Sequence, residues 1–224
     1  MNKISVIIRN KNEELWIGHA IQSVIDFIPG AEIIIVDNNS NDDSLNIVKH
    51  FVKDPNLDNT DITKYTDIKI IKIEDYTPGK SLNLGFKNCS NDFCLVLSAH
   101  CVISKLNLDK HILDLKKYVS IFGKQIPVWN GKKITKRYIW SHFNNNQSEN
   151  MFSELEQRYF HHNAISIYNK SFMLDNPFDE HLQSKEDRYW AADMIKKNKK
   201  ILYDPSIEVY HHYTKNGNTW KGLA

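Results

Sequence analysis

The sequence predicts an α/β fold, a mostly parallel sheet covered by helices, with a smaller mixed half towards the C-terminus. Two observations carry this. Short apolar runs at Ile4–Ile8, Glu32–Val36, Ile68–Ile73 and Phe93–Leu97 are separated by helical patterns, which reads β-α-β-α-β-α-β. The Phe93–Leu97 run is uncharged throughout, as a strand buried on both faces should be. It leads straight into Ser98-Ala99-His100. In open α/β sheets ligands sit outside the carboxyl ends of the strands, so this tripeptide stands where chemistry is expected. A polar exit from a strand would read the same way.

The elements follow in order. Ile4–Ile8 is a strand by its β-branched density, and Arg9-Asn10-Lys11-Asn12 is the turn after it. Glu13-Glu14 opens a helix, with acids complementing the dipole and Asn12 as its expected N-cap. Leu15, Ile17, Ala20, Ile21, Val24 and Ile25 form its apolar face, and Pro29-Gly30 ends it. Glu32–Val36 is the second strand, Asp37–Asp43 its exit loop, and Leu45, Ile47, Val48 and Phe51 mark a second helix. The polar stretch 54–66 reads as a surface loop. Thr77-Pro78-Gly79-Lys80-Ser81 leads into a third helix that carries Leu82, Leu84 and Phe86.

Beyond residue 103 the pattern changes. A helix is expected over Leu106–Tyr118, a strand near Val119–Phe122, and a helix near Phe152–Tyr159. Ala164–Tyr168 reads as a strand and Pro177–Glu180 as a turn. Glu186-Asp187 opens a helix bearing Trp190, Ala191, Met194 and Ile195. Two short strands, Ile201–Tyr203 and Glu208–His211, close the pattern. With no repeat or linker, 1–224 is expected to be one domain, split into a nucleotide-sugar-binding half (1–103) and an acceptor and catalytic-base half (104–224).

Composition narrows the function. A net charge of +2 gives no argument for nucleic acid. No apolar run approaches a membrane span, and no signal-peptide pattern opens the chain. Three cysteines without a CxxC argue against a disulfide framework or a zinc site, so a cytoplasmic location is expected. The first turn lacks both G-x-G-x-x-G and a Walker A sequence, which removes the two commonest doubly wound functions.

Several stretches, in order, resemble family 2 glycosyltransferases of the GT-A (Rossmann-like) fold. They are Ile4–Glu14, Ile33–Ser40, Gly79–Gly85, Phe122–Pro127, Glu186-Asp187 with Trp190, and Val209-Tyr210-His211. The likeness is greatest to the bacterial surface-polysaccharide branch, in which Ser-Ala-His stands where other members have Asp-x-Asp. The resemblance implies an inverting transfer of sugar from a nucleotide-sugar donor to a glycan or lipid-linked acceptor hydroxyl. It further implies a divalent cation, Mn2+ or Mg2+, although the acidic metal motif is absent. Alternatives are a non-catalytic nucleotide- or sugar-binding module and a nucleotidyltransferase. The latter would want a glycine-rich first turn, and Arg9–Asn12 has no glycine.

Residue by residue, the resemblance puts Arg9, Asn10, Asn12, Asp37, Asn38, Lys80, Asn83, Ser98 and Ala99 at the nucleotide or donor. An Asx turn would also account for Asp37-Asn38. Lys80 stands at a helix start, where an anion gains both an ammonium and the dipole. His100 and His211 are the candidate metal ligands, with His212 as the fallback. Asp187 is the expected general base beside Glu186, although two acids in a first turn are also ordinary capping. His162, Asn163 and Trp190 are assigned to the acceptor, with His161 beside them. The basic stretches Lys132–Trp140 and Lys196–Lys200 suggest peripheral contact with the inner face of the cytoplasmic membrane. A solvated face is the plainer reading.

Overall fold

A computed structural model describes residues 4–52, 67–133 and 143–215. One continuous sheet organises them, in the order β3-β2-β1-β4-β11-β6-β12-β5. The strands on this path are β1 (Ile4–Asn10), β2 (Glu32–Asp37), β3 (Asp67–Lys72), β4 (Phe93–Ser98), β5 (Cys101–Lys105), β6 (Ser120–Trp129), β11 (Ile165–Asn169) and β12 (Ile201–His212). Short β7 (Lys132–Lys133) pairs with β6, and β8 (Ser148–Glu149) with β12. The nucleotide-side strands β3, β2, β1 and β4 are mutually parallel. β11 runs antiparallel to both β4 and β6, and β12 pairs parallel with β6. The structure is thus the expected mostly parallel sheet, with a mixed half beyond β4.

Alternation along the strands makes two cores. Ile4, Val6 and Ile8 of β1, Ile33 and Ile35 of β2, and Leu95 and Leu97 of β4 face one side. There they meet Ile17, Ala20, Ile21 and Val24 of α1 (Ile17–Phe27) and Val48 of α2 (Ser44–Lys49). Ile7, Ile34, Val36 and Val96 face the other side, against Leu82 and Phe86 of α3 (Pro78–Asn88) and Trp190, Ala191 and Met194 of α6 (Glu186–Lys196). A period of two therefore feeds both layers, as it must where both faces are covered. α4 (Leu108–Asp114) and α5 (Lys170–Asp175) complete the helices among the described residues. The β3 edge is largely exposed.

At the amino-terminal end of the sheet Glu32 is buried. It accepts hydrogen bonds from Ser5, from Lys69, and from the backbone and hydroxyl of Ser90 at 2.8 and 2.7 Å. Burial works against the charge, but these donors outweigh it and bring the Glu32 pKa down to about 2.

The structure differs from the sequence expectation at several elements. α1 starts at Ile17 rather than at Glu13. Asn12 is left-handed (φ 52°) and its side chain accepts from Asn41 N at 2.8 Å, so it caps the Asn41 loop and not the helix. Leu15, expected on the apolar face, is consequently 73% exposed. The helix expected near Phe152–Tyr159 is a hairpin of β9 (Phe152–Ser153) and β10 (Arg158–Tyr159). Ser153 Oγ accepts from Glu156 N at 3.2 Å, Gln157 takes φ 48°, and Phe152 packs on Tyr159 across the strands, which together stabilise the reversal. The two closing strands are one, bulged between Tyr203 and Glu208, where the Asp204 carboxylate accepts from Ser206. β5 and α5 were not foreseen. Residues 54–66 and most of Lys132–Trp140 lie outside the described residues.

Candidate active site

The parallel strands β1, β2 and β4 end together, at Asn10, Asp37 and Ser98, and their exit loops build one rim. Asp37 is fully buried there. Its Oδ1 accepts from Asn10 Nδ2 at 2.9 Å and from Ser40 Oγ at 2.6 Å, and its Oδ2 accepts from Ser40 N at 3.0 Å. Ser40 Oγ also accepts from Asn12 N at 3.0 Å, and Asn38 N donates to Asn10 O at 2.9 Å. Asp37 therefore ties the second loop to the first, and Asn10, Asn12, Asn38 and Ser40 form the polar wall that results. Asn10 Oδ1 is buried with no hydrogen-bond partner, an arrangement that favours a donor from a ligand.

α3 approaches this rim with its amino end. A Cβ on Gly79 would lie 2.3 Å from Asp179 O, and one on Gly85 would lie 2.5 Å from Ile7 Cγ2. Both glycines are required by close approach, the first to the 178–180 loop and the second to β1. Thr77 caps the helix by accepting from Lys80 N at 3.1 Å. Lys80 Nζ reaches the exposed carboxylate of Asp75 at 2.6 Å, a pair that solvent keeps weak and that an incoming anion can replace. Asn83, expected to face the nucleotide beside Lys80, instead clamps the 178–180 loop. It donates to Phe178 O and Glu180 Oε1, both at 2.9 Å, and accepts from Phe178 N at 3.0 Å.

That loop leads to α6, entered through left-handed Lys185 (φ 65°). Glu186 turns inward and pairs with Arg9 Nη1 at 3.1 Å, and Arg9 also donates to Pro78 O at 3.4 Å. Glu186 and Arg9 thus join the end of β1 to the starts of α3 and α6. Asp187 makes no ion pair among the described residues; its Oδ1 accepts from Arg188 N at 2.8 Å. Burial, and then the neighbouring charge of Glu186, raise its pKa to about 7, against the pull of Arg188 and Arg9. Of the two adjacent carboxyls, Glu186 is an ion-paired strut, and Asp187 is held by its own helix's backbone alone among the described residues.

The Ser-Ala-His turn joins β4 to β5. Ser98 Oγ donates to Asn163 O at 3.3 Å and Ala99 is buried. His100 Nδ1 lies 3.1 Å from Glu13 Oε1, which also accepts from Thr214 Oγ1 at 3.2 Å. Glu13, read from sequence as a helix-opening acid, is therefore a site residue that sequence reasoning missed. The His100 and His211 rings lie 4.8 Å apart, so the two candidate ligands do come together. His211 Nδ1 is 2.6 Å from Gln125 Oε1, and burial, then nearby histidines, hold its ring neutral. The fallback His212 stacks on Trp16, 3.9 Å between ring centroids. Yet no group of three or more His, Cys, Asp or Glu side chains among the described residues could hold a metal ion. Mn2+ and Mg2+ prefer an oxygen-rich shell, so these residues do not by themselves fit such an ion.

On the acceptor side, His162 Nε2 donates to Gly123 O at 2.9 Å and its Nδ1 accepts from Ala164 N at 3.2 Å. Burial holds its pKa at about 3, so the ring is a neutral structural link. Asn163 Oδ1 accepts from Tyr168 OH at 2.6 Å, and its Nδ2 is buried without a partner. Trp190, expected to stack on a sugar, is a core residue. It packs among His161, Tyr168 and Phe178, and its Nε1 donates to Asn176 O at 2.8 Å. Of the basic runs, Lys197 pairs with Asp193 and Lys200 with Glu149, both at 2.8 Å, as on a solvated face. No described helix is long and apolar enough to cross a membrane.

The sequence pattern of the family described as Glycosyl transferase family 2 matches residues 5–179. The O-antigen chain rhamnosyltransferase WbaN of Salmonella anatum is 24% identical over 195 residues, 82% of this chain and 58% of that protein. A dolichyl N-acetyl-alpha-D-glucosaminyl phosphate 3-beta-D-2,3-diacetamido-2,3-dideoxy-beta-D-glucuronosyltransferase of Methanococcus voltae is 33% identical over 103 residues, 45% of this chain and 30% of that protein. The chain therefore spans little more than half of the first relative and under a third of the second. Among solved structures, S. aureus TarS 1-349 in complex with UDP-GlcNAc superposes with a TM-score of 0.69 at 21% identity, covering 99% of this chain and 62% of that one. GalNAc-T7 with UDP, GalNAc and Mn2+ gives 0.67 at 14%, covering 97% and 45%. At these identities the structural likeness shows the GT-A fold.

Proposed function

The chain belongs to glycosyl transferase family 2, and from that premise we propose that it moves a sugar from a nucleotide-sugar donor to a hydroxyl of a glycan or lipid-linked acceptor, with inversion. The observation that carries this reading is Asp187, a partly buried carboxyl with its pKa raised to about 7, which directly follows the Glu186 that pairs with Arg9 at the end of β1. A base poised near neutrality can take the proton of an attacking hydroxyl, and most of its kind are ionised just above pH 7.

In this reading Asn10, Asn12, Asn38 and Ser40 receive the nucleoside, and Asn10 Oδ1 gains the donor it lacks. The acceptor oxygen attacks the anomeric carbon from the face opposite the leaving group and gives its proton to Asp187. The bond from that carbon to the diphosphate oxygen breaks, and the diphosphate departs with the electron pair. Lys80 and the positive end of the α3 dipole meet the charge that develops there. Arg9, fixed by Glu186, holds the base helix against the nucleotide rim. Both curated relatives are named as transferases of sugars, one in O-antigen chains and one on a dolichyl phosphate-linked acceptor, which supports a surface-glycan role.

The test is calorimetric titration with UDP, GDP, TDP, CDP and CMP, each with and without Mn2+. Binding of one nucleoside diphosphate, weakened by Asn10→Ala, supports the reading and identifies the donor class. A preference for CMP without metal would move the donor to a nucleoside monophosphate sugar. Binding of none would leave a module without donor use.

A further inference from the structure

Arg158 and Arg188 have no part in the reaction as described, yet the elements that carry them pack together beside its base. Arg158 lies on β10, which packs against α6, and Arg188 directly follows Asp187 on that helix. The Arg158 guanidinium sits 4.1 Å over the Phe160 ring and pairs through Nε with Glu156. Its Nη1 is buried and has no partner. The Arg188 side chain makes no ion pair among the described residues. Burial, and then the charge of Arg158, disfavour the Arg188 cation.

The local charges do not balance. Glu186 is taken by Arg9 and Glu156 by Arg158, and Asp187, with its pKa raised to about 7, is only part-ionised near neutrality. One cation and one buried guanidinium N–H are left over. A buried donor without a partner is costly, and so is the approach of two like charges, unless an anion bridges them. Planar guanidiniums match oxyanions in bidentate fashion, phosphates above all. Packing of Arg158 on Phe160 alone would explain its position but not the orphaned Nη1.

We propose that Arg158 and Arg188 form an oxyanion site on the acceptor side of Asp187 that takes a phosphate group carried by the acceptor. This rests on the glycosyltransfer reading above, in which Asp187 contacts the acceptor hydroxyl. An anchor there sets which hydroxyl reaches the base, and so fixes the acceptor's register by its charge. The same oxyanion chemistry is present in the donor's diphosphate, and the experiment separates the two sources.

The probe is inorganic phosphate, titrated calorimetrically into wild type, Arg188→Gln and Arg158→Lys, each free and each saturated with the nucleoside diphosphate that binds best. Arg188→Gln removes a partly exposed side chain with no ion pair, and Arg158→Lys keeps charge over Phe160 while losing the fork; thermal melts confirm folding. The expected result is phosphate binding to the nucleotide-saturated wild type, weakened about tenfold or more in either variant, with nucleotide affinity changed less than about twofold. If nucleotide affinity falls about tenfold and saturated wild type takes no phosphate, the anion is the donor's and the acceptor assignment is overturned. Equal phosphate binding by all three proteins overturns the site altogether. If no nucleotide binds, the donor reading fails separately, and titration of the free proteins still decides the arginine pair.

Discussion

Asp187→Asn should abolish transfer and, above neutral pH, stabilise the protein. The two effects have one cause. Burial and the charge of Glu186 hold the Asp187 pKa at about 7, well above the ordinary carboxyl value. Because it is raised, the folded state binds the proton more tightly than the unfolded chain does. Stability is therefore lost as pH rises from about 4 to about 7, and the full cost stays in place above that window. Each unit by which the pKa is raised corresponds to about 1.4 kcal/mol. Solvent reaches part of the side chain, so a gain of about 1–3 kcal/mol for Asp187→Asn at pH 8, vanishing near pH 4, is the reasonable scale. Activity should fall by roughly 10²–10⁴, the usual contribution of a positioned base. Urea denaturation at pH 4 and pH 8 reads the first effect, and donor turnover the second. Glu186→Gln supplies the control. It deletes the charge that raises Asp187 and frees Arg9 to lower it, so the acid limb of kcat/KM should move down by about one pH unit. The reasoning is refuted if Asp187→Asn retains transfer, or if it destabilises at pH 8 as much as at pH 4.

Other consequences are checked more briefly. Glu32→Ala should cost about 3 kcal/mol in urea denaturation at pH 7, because Ser5, Ser90 and Lys69 lose a buried acceptor. The pKa of about 2 means that wild type keeps this contribution above pH 4 and loses it as pH falls through 2, so the variant's deficit should shrink in acid. Gly79→Ala should displace the 178–180 loop, which its Cβ would strike at Asp179 O, and lower turnover more than nucleotide affinity. Binding that weakens while turnover holds would refute that linkage. Mn2+ titrated without nucleotide should bind no tighter than about 100 μM, since no three ligands gather among the described residues. Tighter binding, lost in His100→Ala, would show that the protein builds a site alone.

The parts of the fold legible in the sequence were those governed by apolar runs, helical spacing and end signals. Strands β1, β2 and β4 and helices α3 and α6 declare themselves through short β-branched or uncharged apolar runs, a Thr-Pro start and an acidic first turn. What was hidden depends on side chains bonding to their own backbone. Met151–Phe160 has the composition of a helix, and only the Ser153 hydroxyl, left-handed Gln157 and a cross-strand aromatic pair turn it into a hairpin. That misreading also concealed Arg158, whose position opposite α6 is a product of the reversal.

The same limit applies within the site. Sequence order put Glu186 and Asp187 together, with Asp187 as the expected base, but it could not show that Glu186 is held by Arg9, 177 residues away. A first turn rotates successive side chains by about 100°, so one acid of an adjacent pair can face Arg9 at the end of β1 while the other points elsewhere. Paired with Arg9, Glu186 stays ionised, and its charge raises the Asp187 pKa while Arg9 partly offsets that rise. The pair is legible as a motif, but the different surroundings of its two carboxyls depend on a third residue that the fold supplies.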